Sequence, residues 1–249
     1  MDNTEQKEVK TKLKFDSFEE KLGSWSWYFR DFWEMGGFDS IYSKLKFESG
    51  RGKIIIPDSK DTFRVFSEVE KSKLKVVWYL QDPYSSIKNG IKTACGVAMD
   101  CGNTGKLQPS LELFYNAIES TVYNGLDLNM EKPADTTYLL EQGVMLLNTD
   151  LTVEAFKSSS HEGLWEPFQK YFIEEIINKY HPGTIFVLSG QTSQKLEKYI
   201  APMMHYVIKT EHPAAASRNY REWDCNNAFN KINTILKENN GITSQITLS

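Results

Sequence analysis

The stretch KVVWYLQDPYSS, residues 75–86, decides the fold. After Lys75, residues 76–80 are a short, unbroken apolar run of β-branched, aromatic and aliphatic side chains. Such a run fits a strand buried on both faces of a parallel sheet. The run then stops at Gln81-Asp82-Pro83-Tyr84. Asp-Pro alone is enough to shape a turn. A carboxylate beside an amide and a phenol also suits a pocket, and the rest of the chain has to decide between the two.

Three further runs share the pattern: GVMLLN (143–148), TIFVLSG (184–190) and HYVIKT (205–210). Between them lie segments with helical spacing. PSLELFYNAIES begins at Pro109, with Ser110 as the expected N-cap. HEGLWEPFQKYFIEEIINK puts Trp165, Phe168, Phe172 and Ile176 on one stripe. QTSQKLEKYI and REWDCNNAFNKINTILK supply two more. Upstream, DSFEEKLGSWSWYFRDFW repeats apolar residues at helical intervals, and Ser17 with Glu20 fits a capping box. Its aromatics read as core packing rather than a base-stacking surface. Residues 61–70 read as a short helix. Gly50-Arg51-Gly52 lacks the context of a phosphate-binding loop and reads as a turn.

Strands alternating with helices give an α/β protein. The expectation is a single-domain, three-layer α/β/α fold with a central, mainly parallel four-stranded sheet over residues 14–238. A polar N-terminus (1–13) and a polar tail (239–249) flank it and are expected to be loose. The 249 residues carry a net charge of -4, which argues against a broadly basic, nucleic-acid-coating surface but not against one local phosphate site. Three cysteines without a CxxC pair suggest reduced thiols in an intracellular protein, neither a disulfide framework nor a zinc site. No apolar run reaches membrane-spanning length, and the start has no signal-peptide pattern.

Ligands of open α/β sheets bind beyond the C-terminal strand ends. The four runs end in Gln81-Asp82-Pro83-Tyr84, Asn148-Thr149-Asp150, Ser189-Gly190-Gln191 and Glu211-His212-Pro213. Parallel strands would bring an Asp, an Asn, a Gln and a His to one crevice. Each residue alone has a structural explanation; their coincidence favours a site.

The same residues resemble family 1 uracil-DNA glycosylases. The motif GQDPYH is similar to LQDPYS (80–85), PPSL to QPSL (108–111), LLLNxxLTV to MLLNTDLTV (145–153), LWGxxAQK to LSGQTSQK (188–195) and HPSPLS to HPAAAS (212–217). Five motifs in order cover residues 15–238. The resemblance implies hydrolysis of the bond between deoxyribose and uracil in single- or double-stranded DNA, by a monomer needing no metal or cofactor. It implies that Asp82 stabilises the positively charged sugar and orients water, and that His212 bonds the departing uracil. It further implies that Asn148 reads the uracil edge, Tyr84 excludes the thymine methyl, and Gln81 lines the pocket through its backbone. A DNA-mimicking inhibitor protein is an implied partner. Implied DNA contacts are Ser85, Pro109, Ser110, Gly190, Gln191, Pro213, Ala216 and Ser217.

The departures from that pattern concern DNA handling. Ala216 stands where the family has a leucine wedge, Ala214 replaces a phosphate-binding serine, Ser85 a histidine, Gln191 a serine and Leu80 a glycine. Val97 occupies the position of a phenylalanine that stacks on uracil. Such stacking is worth roughly 1–3 kcal/mol per base, so its loss would cost about 10- to 100-fold in capture. Three readings follow: a uracil-DNA glycosylase of base-excision repair, a glycosylase with altered base specificity, or a catalytically weak DNA- or partner-binding accessory module.

Overall fold

The computed structural model describes residues 15–124, 132–240 and 246. The expected loose segments, 1–13 and 241–245 with 247–249, lie outside the described residues; 239 and 240 are not loose but end the last helix. All four apolar runs are strands: β1 Val76–Leu80, β2 Val144–Asn148, β3 Ile185–Ser189 and β4 Tyr206–Thr210. They form one sheet in the order β2-β1-β3-β4, with every pair parallel. β1, β2 and β3 are buried along their whole length, which is why their sequences show no polar alternation. β4 departs from that expectation. Like β2 it lies at an edge of the sheet, but unlike β2 it is left partly uncovered, and Tyr206 and Lys209 face solvent.

Successive residues of a strand point to opposite faces, and β1 shows how the layers are built. Trp78 packs on one face against Phe114 of α4 (Pro109–Val122) and Phe229 of α7 (Ala228–Asn240), with ring centroids 4.9 and 5.0 Å away. Tyr79 points the other way and donates its hydroxyl to Gln169 Oε1 at 2.9 Å. Gln169 lies on α5 (Glu166–Tyr171), which continues into a π-helical turn at Phe172–Ile177. The expected stripe of Trp165, Phe168, Phe172 and Ile176 is buried as a whole. Phe168 stacks on Phe29 at 4.9 Å and 6° and meets Phe63, Phe66 and Trp165. Helices thus cover both faces of the sheet, as expected.

The N-terminal helix is interrupted. α1 (Asp16–Leu22) stops at Gly23, whose φ of 52° breaks the helical path, and α2 (Ser26–Glu34) resumes after one 3-10 turn. Phe15 occupies the cap position, so Ser17 falls inside the first turn rather than before it. Likewise Gln108, in extended conformation, precedes α4 and Pro109 is its first residue; Ser110 lies one position too far along to be the N-cap. α3 (Asp39–Gly50) has no counterpart in the sequence reading. Among the described residues no helix is long and apolar enough to cross a membrane.

Phe168 anchors the aromatic layer between α2 and the sheet. Phe168→Ala is expected to lower unfolding free energy by about 3–5 kcal/mol through cavity formation, measured as a lower urea midpoint at unchanged slope. A loss under about 1 kcal/mol would contradict this packing.

Candidate active site

The parallel ladder runs out with Leu80 opposite Asn148. The chain from β2 then stays attached to the chain from β1: Thr149 N–H donates to Leu80 O at 2.9 Å and Asp150 N–H to Gln81 O at 3.1 Å. Asn148 thus stands on the last rung, and Asp82 lies two residues beyond it on the neighbouring strand's exit. Gln169 fixes the second of them from behind, its Nε2 donating to the carbonyls of Asn148 (3.0 Å) and Thr149 (2.9 Å). Gln169 is fully buried inside an apolar stripe. A polar residue at such a position was the one signal in the sequence that could have marked it.

Polar side chains also tie the other strand ends together. Trp78 Nε1 donates to Ser189 Oγ at 2.8 Å, and Ser189 Oγ shares a hydrogen bond with Thr210 Oγ1 at 2.8 Å. Thr210 Oγ1 and Trp223 Nε1 both donate to the carbonyl of Glu211, each at 2.8 Å. This chain spans β1, β3 and β4 directly beneath His212.

His212 caps α6 (Pro213–Arg218): its Nδ1 accepts from Ala214 N–H at 3.1 Å. An accepting Nδ1 leaves Nε2 to carry the proton of the neutral ring. Burial pushes the His212 pKa down to about 4, against the opposing pull of Asp82. At neutral pH the group is thus an uncharged N–H donor. Ala214 serves through its backbone, so the missing serine side chain does not disturb the histidine. Gly190 lies against the ring's base with a φ of 86°, and a Cβ there would come within 2.8 Å of His212 Cβ. Only glycine suits both demands.

Asp82 Oδ2 accepts two hydrogen bonds, from Ser158 Oγ (2.9 Å) and Ser159 N–H (2.6 Å). Gln81 Nε2 donates to Ser159 Oγ at 2.6 Å. A second acid lies deeper. Asp150 accepts from Gly163 N–H and Trp165 N–H at 3.3 and 3.2 Å, and burial raises its pKa to about 7, with Asp82 adding repulsion. Tyr84 sits against the core with its hydroxyl buried; Ser110 faces it without forming a hydrogen bond of acceptable geometry.

The sheet gathers Gln81, Asp82, Tyr84, Asn148, Gly190 and His212 at one edge. Val97 is 2% exposed, and the Ala98 N–H beside it donates to Leu146 O of β2 at 3.1 Å. Pro109, exposed, and Ser110, buried, open α4, which packs against the α6 segment holding Pro213, Ala216 and Ser217. Gln191 is exposed; Ser85, whose carbonyl accepts from Phe156 N–H at 2.7 Å, is partly so. Ala216 is fully buried, so its methyl presents no surface to DNA. Ser158, Ser159 and Asp150 were not picked out from the sequence. Among the described residues no cluster of three or more His, Cys, Asp or Glu is arranged to hold a metal.

A fold with this strand order and these strand ends defines a class, and comparison with known proteins identifies it. The family model "Uracil DNA glycosylase superfamily" matches residues 104–237. Uracil-DNA glycosylase of Pseudomonas aeruginosa is 34% identical over 211 residues, covering 81% of this chain and 86% of its own. The Blochmanniella floridana enzyme is 33% identical over 206 residues, covering 82% and 88%. Among solved structures, mimivirus uracil-DNA glycosylase superposes with a TM-score of 0.79 at 22% identity, over 95% of this chain and 89% of that one. A mimivirus variant in complex with UGI gives 0.75 at 24% identity, over 86% and 85%. The chain belongs to the uracil-DNA glycosylase superfamily.

The folded-state pKa of His212 lies below its unfolded value near 6.5. Stability linked to it is complete above pH 6.5 and is lost as pH falls towards 4, where the unfolded chain gains a proton that the folded one refuses. His181 and His205, also lowered by burial, act in the same direction. NMR titration should find the His212 ring neutral down to about pH 4.5, with the proton on Nε2. A ring that charges near pH 6.5 would contradict the geometry.

Proposed function

We infer that this protein is a uracil-DNA glycosylase: it hydrolyses the N-glycosidic bond of deoxyuridine in DNA, releases uracil and leaves an abasic site for base-excision repair. The observation that carries the reading is the pairing of the Asp82 carboxylate with a neutral, Nε2-protonated His212 across one crevice. The target base must leave the stack to reach such a crevice. The glycosidic bond breaks with its electron pair going to uracil N1, which leaves positive charge on the sugar and negative charge on the base. Asp82 stabilises the sugar cation and orients a water, whose oxygen adds to C1′ as its proton passes to the Asp82 carboxylate and from there to solvent. His212 donates from Nε2 to a uracil carbonyl and so spreads the charge of the departing anion. A neutral donor does this without having to be discharged afterwards.

The recognition roles follow from position. Asn148, held through its carbonyl by Gln169, offers its amide to the edge of the base. Tyr84, backed by the core, closes the space beside uracil C5. Val97 lines the pocket without an aromatic face, so capture depends more on these polar contacts. Ser85, Pro109, Gly190, Gln191 and Ser217 lie on the loops and helix starts around the crevice and face the DNA backbone, while buried Ser110 and Pro213 support that surface from beneath. Buried Ala216 leaves the flipping step without a wedge, which favours single-stranded substrate. The working unit spans residues 14–238 and acts as a monomer inside the cell, where its substrate is. A DNA-mimicking inhibitor protein would bind the same face.

Uracil release from a labelled single-stranded oligonucleotide tests the reading. The wild type should release uracil, and Asp82→Asn should be slower by roughly 100- to 1,000-fold, the scale for one electrostatic stabiliser. No release by folded wild type would overturn it and direct attention to other modified bases.

A further inference from the structure

The loop between residues 155 and 160 is built in an unusual way. Phe156 and Ser159 both have left-handed backbone conformations, φ 61° and 62°, and neither is a glycine. Such conformations cost energy and persist only where surrounding contacts impose them. Here the contacts are specific. Ser160 Oγ accepts from Glu154 N–H at 2.7 Å, and Phe156 N–H donates to Ser85 O at 2.7 Å. His161, buried, bridges Thr152 Oγ1 and Glu48 Oε2, both at 2.8 Å, and so fastens the loop's end to α3. The loop is stapled at each end, and its middle is turned towards Asp82.

What the middle presents is a pair of donors. The left-handed turn at Ser159 aims its N–H at Asp82 Oδ2, and the Ser158 hydroxyl reaches the same oxygen. Both bonds fall on Oδ2, which leaves Oδ1 to face a water or the sugar. Ser159 Oγ also receives the Gln81 amide, so the two side chains before Pro83 are held by one loop. We propose that Ser158 and Ser159 are positioning residues for the glycosylase reaction, a two-donor clamp that fixes the Asp82 carboxylate with one oxygen free to act. The clamp rests on the assignment of uracil excision to this site, and it concerns the chemical step rather than DNA binding. Hydrogen bonds to a charged group are the strong ones, yet Asp82 is partly open to water, so each should matter by a modest factor.

Both serines are exposed, so truncating them leaves the core intact. Steady-state uracil release from a single-stranded oligonucleotide should show Ser158→Ala with kcat about tenfold lower and KM within about twofold of the wild type. Ser158→Thr, which keeps the hydroxyl, should recover kcat to within about threefold. In single-turnover assays, Asp82→Asn/Ser158→Ala should be no slower than Asp82→Asn alone, because the clamp acts only through the carboxylate. Wild-type kcat in Ser158→Ala would overturn the clamp while leaving the glycosylase assignment standing. A raised KM at unchanged kcat, or an equal slowing in the Asp82→Asn background, would do the same. An inactive wild type would instead remove the assignment itself, and the clamp with it.

Discussion

The site depends on the parallel ladder between β1 and β2 and on its extension by two backbone hydrogen bonds past the last rung. The amides of Thr149 and Asp150 on the carbonyls of Leu80 and Gln81 hold two departing loops in register. Without that extension, the loop that carries Asp82 would leave the sheet independently of the strand end that carries Asn148. With it, they project from what is in effect one more rung of sheet, backed by Trp78 and Tyr79 and the helices on either face. Rigid sheet below and irregular backbone above is the general arrangement of α/β sites. Here side chains tie down part of that irregular backbone: the Gln169 amide holds the carbonyls of Asn148 and Thr149, and the Trp223 indole holds that of Glu211.

Electrostatics at this edge sort three titratable groups into separate tasks. His212 is kept neutral by burial and by its cap on α6. Asp150, buried 13 residues ahead of Gly163 and pushed up to about 7, sheds its charge readily near neutral pH. Its protonated form spares Asp82 a like charge nearby. Asp82 is partly exposed and carries two donors on one oxygen. Groups whose environments separate their protonation states are what acid–base and electrostatic catalysis require.

Much of the fold could be read from the sequence, and the reasons are physical. The four strands were found to within a residue at each end because strands buried on both faces are continuous apolar runs. Parallel pairing then implied that an Asp, an Asn, a Gln and a His from the four strand ends would meet, without any knowledge of contacts. α3 was not legible, because its inward face carries Glu48 as the partner of buried His161, a polar residue where a periodic pattern needs an apolar one. The Gly23 break was hidden by aromatics that keep helical spacing across it. The serine clamp was hidden too: Ser158 and Ser159 sit in a polar stretch, and their partner lies 76 and 77 residues away. Contacts of that range leave no local trace in sequence.

In the proposed reaction a carboxylate and a neutral histidine act on opposite sides of one glycosidic bond. The most direct measurement is a crystal structure of the wild-type protein with uracil and abasic single-stranded DNA. It should show uracil between Tyr84 and Asn148 with one carbonyl within hydrogen-bond reach of His212 Nε2, and the sugar C1′ beside the free oxygen of Asp82. Uracil bound elsewhere, or in this crevice with His212 turned away and Asp82 distant from the sugar, would contradict it.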